Sequence, residues 1–181
     1  VLIGEQWWMA ENLKTDHYSD GSIIPDFNSG WGGVTEGRYT NWLFDQNYKR
    51  AYGNEYNWYA VSDPRNVCPI GWHVPTDTEF TTLSNFLGGT NVAGGKMKTF
   101  DQYLMPNTGA TNISGFSALP AGYFQTSGVN WSWLTYQAYF WTATENNTTH
   151  SWFYQLNHSN AILNRAYLDK HDGMSVRCIK N

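Results

Sequence analysis

Apolar residues fall at helical spacing most clearly in residues 76–89, where Phe80, Leu83 and Leu87 recur on one face of a 3.6-residue period. Thr76 with Glu79 three residues on can cap each other's free amides, and Gly88 and Gly89 close the run, so a helix is predicted there. Pro75 fixes its entry, and CPIGWHVP upstream reads as a turn leading into a short extended piece. Elsewhere the pattern is of short strands. IGEQWWMA, YNWYAV, GFSALPAGYF, AYFWTAT, HSWFYQL and MSVRCI are rich in aromatic or β-branched residues and bounded by Gly, Asn, Asp or Ser. In HSWFYQL, alternation puts Trp152 and Tyr154 on one face of a sheet and Ser151, Phe153 and Gln155 on the other. The stretch from Val92 to Phe100 predicts a short second helix. Residues 16–49, dense in Gly, Ser, Asn and Asp, predict a long irregular excursion with at most a short helix, a loop length usually kept for function or self-packing. The sum is an α+β chain, a small twisted antiparallel sheet with one or two flanking helices and long loops.

At 181 residues the chain fits one domain, residues 1–181, able to bury roughly 70% of its unfolded surface without a metal or a dense disulfide framework. Aromatics reach 17% while charged residues are only 14%, so side-chain chemistry is dominated by rings and amides. Eleven Lys plus Arg against a net charge of −4 leave no basic stripe, which argues against a nucleic-acid partner. No apolar run approaches the roughly 20 residues of a membrane span, and VLIGEQWWMAENL lacks the basic and apolar regions of a signal peptide. The expectation is a soluble fragment or mature domain, without direct membrane insertion, whose targeting signal, if it has one, lies outside this stretch.

Cys68 and Cys178 have neither a CxxC partner nor a nearby His to complete a zinc site. Two buried thiols and one long-range disulfide remain open; the aromatic, lysine-poor composition looks extracellular and favours the disulfide. A bridge closing so long a loop would stabilise the fold by about 4 to 5 kcal/mol in the chain-entropy model. Glu145, Asp169 and Asp172, with Asn146 and Asn147, are the late oxygen donors for a structural calcium, but no dense DxDxDG-like run appears, so no cofactor is expected. His150, His158 and His171 lack zinc spacing. A nucleophile elbow is absent, GTNVAGGK lacks the phosphate-loop spacing, and Asp169 and Asp172 beside His171 are the remaining enzyme-like group. The chain is therefore expected to be non-catalytic.

The last third carries the vocabulary of a recognition surface. Trp131, Trp133, Tyr136, Trp152, Tyr154 and Tyr167 offer large contact area with few rotatable bonds, while Asn147, His150, Asn157, His158, Asn160 and Asn164 offer adaptable hydrogen bonds. Trp152, Tyr154, Asn157 and a Trp131/Trp133 pair are expected to contribute most of the binding energy. A protein ligand on a cell surface and a glycan, stacked on Trp or Tyr, are the two partner classes.

The strings IGEQWWMAENL, DGSIIP, YGNEYNWYAV, CPIGWHVPTDTEF, AGGKMK, GFSALPAGY, FWTATE and GMSVRCI resemble, in that order and over essentially the whole chain, the signature blocks of the major paralogous domain first named from Fibrobacter succinogenes. The resemblance implies a C-type-lectin-like fold, related to formylglycine-generating enzymes and to the variable proteins of diversity-generating retroelements, in secreted or surface-anchored bacterial or phage proteins. It also implies that Cys68 and Cys178 are framework cysteines joined to one another, leaving no thiol for redox chemistry, and that Trp72, Pro75, Trp141 and Arg177 are framework. The ligand surface would then lie in the late loops from Tyr123 to His171. The chain departs from the pattern in the insertion-like residues 35–54 and in Phe80, where Trp is common.

Overall fold

The structure, a computed structural model, describes residues 1–181 except for the side chain of Ser29. Its first half contains β1 (Leu2–Ile3), β2 (Gln6–Trp7), β3 (Tyr39–Thr40), helix α1 (Gln46–Tyr52), β4 (Glu55–Tyr56), α2 (Trp58–Val61), β5 (Trp72–His73), α3 (Asp77–Phe86) and α4 (Thr90–Met97). After an irregular stretch over residues 98–122, the regular elements are strands apart from one 3-10 turn: β6 (Tyr123–Gln125), β7 (Asn130–Ser132), β8 (Gln137–Glu145), β9 (His150–Asn157), β10 (Leu163–Asp169), β11 (Met174–Ser175) and β12 (Ile179–Lys180). A six-stranded sheet runs in the order β10-β9-β8-β11-β4-β3, and three two-stranded sheets pair β1 with β2, β5 with β12, and β6 with β7. In the large sheet β8 and β11 are parallel while the other neighbours are antiparallel. The fold class is α+β.

The helix α3 is formed as its sequence predicts. Thr76 accepts from the Glu79 amide at 3.3 Å and the Glu79 carboxylate accepts from the Thr76 amide at 2.7 Å, so two free amides are satisfied at once. Its apolar face, Phe80, Leu83 and Leu87, is buried against Phe140, Tyr154, Leu156 and Leu163 of the sheet. The second predicted helix is α4. It approaches its neighbours backbone to backbone: a Cβ on Gly94 would sit 2.3 Å from the Ile162 carbonyl oxygen, and one on Gly95 2.3 Å from that of Gly109. On the opposite face of the sheet, Trp141, Phe153 and Tyr139 pack with Tyr56, Trp58, Val176 and the disulfide. That disulfide joins Cys68 to Cys178, fastening the segment before α3 to the end of the chain.

Several strands differ from the pattern reading. YNWYAV supplies β4 and then turns helical, because Asn57 caps α2 by accepting from the Ala60 amide at 3.1 Å. GFSALPAGYF is strand only from Tyr123, since Gly115, Ser117 and Gly122 all sit at positive φ and Pro120 withholds a donor. MSVRCI is split into β11 and β12, and LNRAYLD forms β10 although its polar side chains gave no strand signal. The excursion 16–49 is irregular apart from two 3-10 turns, β3 and the start of α1.

Two of the buried cations are wholly inaccessible. Arg177 is inaccessible, donates to the carbonyl of Phe116 and the side-chain oxygen of Asn12, and stacks 4.5 Å from the Phe116 ring. Lys98 is likewise inaccessible, and its ammonium donates to the carbonyls of Thr108, Asn157 and Asn160 at 2.9, 2.8 and 2.9 Å. It thereby ties the segment after α4 to the β9–β10 turn.

Candidate ligand-binding surface

The late-chain residues expected at a binding surface occupy different environments. Tyr154 is a correction: it is 2% exposed, stacks on Phe80 with centroids 4.6 Å apart, and points its hydroxyl at the Asp77 carboxylate. Strand alternation does put Trp152 and Tyr154 on one face, but α3 covers the Tyr154 half of it. Trp131 is also mostly turned inward. It lies among Phe44, Phe124, Phe27 and Trp42, at centroid distances of 5.1, 5.0, 6.3 and 6.4 Å, and fastens the β6–β7 hairpin to the long excursion. It therefore forms no surface pair with Trp133. Beneath it lies the Glu55 carboxyl, which burial raises well above the usual carboxylate range, with the Trp131 N–H offsetting part of the effect.

Most of the amides serve the chain's own turns. Asn147 accepts from the amides of Thr149 and His150, each at 2.9 Å; Asn157 accepts from Ser159 at 2.9 Å and Asn160 from Ile162 at 2.9 Å. Short side-chain oxygens bond the backbone two or three residues on more readily than a distant ligand, which is why these positions favour Asn. Asn164 is exposed and donates to Gln155 at 3.1 Å, and Gln155 in turn donates to Gln137 and, at 3.2 Å, to the Tyr139 hydroxyl. This amide row lies on the sheet face away from α3.

The remaining rings make two exposed groups. Tyr167 pairs across the ladder with Trp152, and the His150 ring meets Tyr167 at 5.6 Å. One face of Trp152 is occupied by the Arg165 guanidinium, 3.3 Å from the ring centre and fixed by Asp77 at 2.6 and 3.0 Å. The second group is Trp133, Tyr136 and His158. Trp133 and Tyr136 are 50% and 39% exposed and meet edge to face at 6.2 Å, and His158 meets Tyr136 at 5.2 Å.

Trp133 and Thr135 both sit at positive φ, 68° and 67°. For a β-branched or bulky residue that backbone is strained by roughly 1–3 kcal/mol and persists only where neighbours hold it. Here the amides of Tyr136 and Gln137 both bond the Trp133 carbonyl at 3.0 Å, Thr135 donates to Pro120 at 2.9 Å, and Leu104 donates to Thr135 at 2.7 Å. The last bond brings in the exposed Leu104 and Met105, which pattern reading did not select. Two apolar residues before Pro106 and Asn107, in a segment with no periodicity, were the available signal.

Among the described residues no group of three or more His, Cys, Asp or Glu is placed to hold a metal ion. The late acids each have their own partner: Glu145 meets Lys170, Asp169 meets His171 at 2.7 Å, and Asp172 accepts from Thr126. Among the described residues no helix is long and apolar enough to cross a membrane.

An α+β scaffold with one disulfide and a braced, exposed aromatic turn thus describes the molecule. The family model of the Fibrobacter succinogenes major domain matches residues 1–180, and the chain belongs to that family. No curated protein matches it in sequence.

Proposed function

We propose that the chain is a non-catalytic recognition domain that docks a protein ligand through the ridge of Trp133 and Tyr136, flanked by Leu104, Met105 and His158. The carrying observation is Trp133 itself: a half-exposed indole on a strained backbone that four hydrogen bonds fix, two within the turn and two to neighbouring segments. Aromatic anchors held rigid before binding lose little entropy on docking, and such anchors dominate interface energies. The alternative, a glycan stacked on exposed Trp or Tyr, has less support. Trp133 and Tyr136 stand at 79° to one another and Trp152 and Tyr167 at 89°, so neither pair offers a flat platform, and Arg165 already fills one face of Trp152.

A C-type-lectin-like topology and a secreted or cell-surface setting belong to the same reading. The disulfide supports the setting, because such bonds persist in oxidising compartments. Diversification by a retroelement would act on Trp133, Tyr136, Asn164 and Tyr167, whose side chains are the open ones; Asn147, Asn157 and Asn160 are needed for turns. A displayed-peptide library and a glycan array, both probed with the domain, test the proposal. Selected peptides should lose at least about tenfold in affinity for Trp133→Ala, in line with an interface anchor. Glycan binding that survives both Trp133→Ala and Tyr136→Ala would overturn it.

A further inference from the structure

A second place on the molecule is built to hold a ligand, on the side of the sheet away from α3 and apart from the aromatic ridge. A cleft of about 460 Å³ lies between the β6–β7 hairpin, the loop at Gly33 and the turn that follows β10, lined by Gly33, Gln125, Thr126, Ser127, Leu168, Asp169, His171 and Asp172. Asp169 and Asp172 bring two carboxylates to it, and neither Lys nor Arg lines it. The one cation in the adjoining sequence is turned away: the Lys170 ammonium binds Glu145 and the Thr148 carbonyl and lies 4.7 Å from the centre of the Trp58 ring.

Asp172 is the informative residue. It is only 6% exposed, yet one carboxylate oxygen takes both of its hydrogen bonds, from the Thr126 amide and hydroxyl at 2.8 Å each. No hydrogen bond from the described residues reaches the other oxygen, and the residue lines the cleft. The turn carrying it is rigid, because Phe124 and Gly173 exchange backbone hydrogen bonds of 2.8 Å in both directions. Burial, with Asp169 adding to it, raises the Asp172 carboxyl above its ordinary range. The titratable groups facing it are Asp169 and His171, with the Tyr123 phenol alongside. A nine-tenths buried carboxylate without a cation is costly, and a hydrogen-bonding organic cation is the partner that would offset the cost.

We propose that this cleft accepts the cationic end of a lysine or arginine side chain from a bound polypeptide, its charge against Asp172 and Asp169 and its aliphatic stem along Leu168. The cleft thus serves as an acidic anchor point separate from the Trp133 ridge.

The test uses the intact domain and three small probes: N-acetyl-lysine methylamide, N-acetyl-arginine methylamide and the uncharged N-acetyl-norleucine methylamide, titrated by amide NMR. Shifts should centre on Gly33, Thr126, Ser127 and Asp172, with one or both cationic probes binding at least about tenfold tighter than norleucine, as a charged hydrogen bond implies. Asp172→Asn, whose amide oxygen can still accept from Thr126, should remove that preference without moving the thermal midpoint. Equal binding of all three probes, shifts centred elsewhere, or a preference retained in the Asn variant would each overturn the proposal. Should the variant not fold, the comparison of probes on the wild-type domain still decides it.

Discussion

Glu55 shows how one residue couples the long excursion to the sheet. It pairs across the ladder with Thr40 and lies under the Trp131 indole, 3% exposed, with no charged group among the causes of its raised pKa. The folded state therefore keeps the proton after the unfolded chain, with a carboxyl near pKa 4.3, has released it. Its contribution is complete below that value and is lost as pH rises through the folded pKa. In urea titrations between pH 5 and 9, the stability difference between wild type and Glu55→Gln should shift toward the variant as pH rises; a difference independent of pH would contradict this. Lys98 has the opposite chemistry, a buried cation satisfied by three carbonyls. Lys98→Met would leave those acceptors bare and should cost about 3 kcal/mol, measurable by denaturant unfolding.

Among the elements, α4 depends most on small residues. Gly94 and Gly95 let its backbone touch neighbouring backbone, with the Gly95 amide donating to Ala161 at 3.0 Å and its carbonyl accepting from Thr111 at 2.9 Å. Alanine improves an ordinary helix, yet Gly94→Ala should destabilise by about 1–3 kcal/mol because the new methyl meets the Ile162 carbonyl. A rise in the thermal midpoint would refute that packing. Helix α3 was legible because its signals are local: a cap, a period and a glycine stop. The strands β8 and β9 were legible for a similar reason, each being dense in aromatic residues within a short bounded run. Strand β10 was not, since Asn164, Arg165 and Tyr167 are exposed and its identity comes from pairing with β9. The site was half legible. Residue type marked Trp133, Tyr136 and Tyr167, but type alone could not tell that α3 covers Tyr154, that Phe44 and Phe124 enclose Trp131, or that Asn147, Asn157 and Asn160 are spent on turns.

The whole molecule divides its labour between scaffold and surface. Two apolar layers, buried cations and one covalent bridge hold a sheet whose end carries a strained, exposed aromatic turn. Removing the bridge with Cys68→Ala and Cys178→Ala together should lower stability by about 2–5 kcal/mol, and by calorimetry the folded remainder should still bind selected ligands, because the bridge lies in the layer of Trp58 and Trp141 and not at Trp133. On the proposed function, Trp133 is an anchor for a partner and not a structural residue. The most direct test is one titration series: the affinity of wild type, Trp133→Ala and Tyr167→Ala for the same selected ligand, alongside their thermal midpoints. The expected result is at least about a tenfold loss for Trp133→Ala, a change under about threefold for Tyr167→Ala, and midpoints close to wild type for both. Unchanged affinity for Trp133→Ala, or a loss that appears only with unfolding, would contradict it.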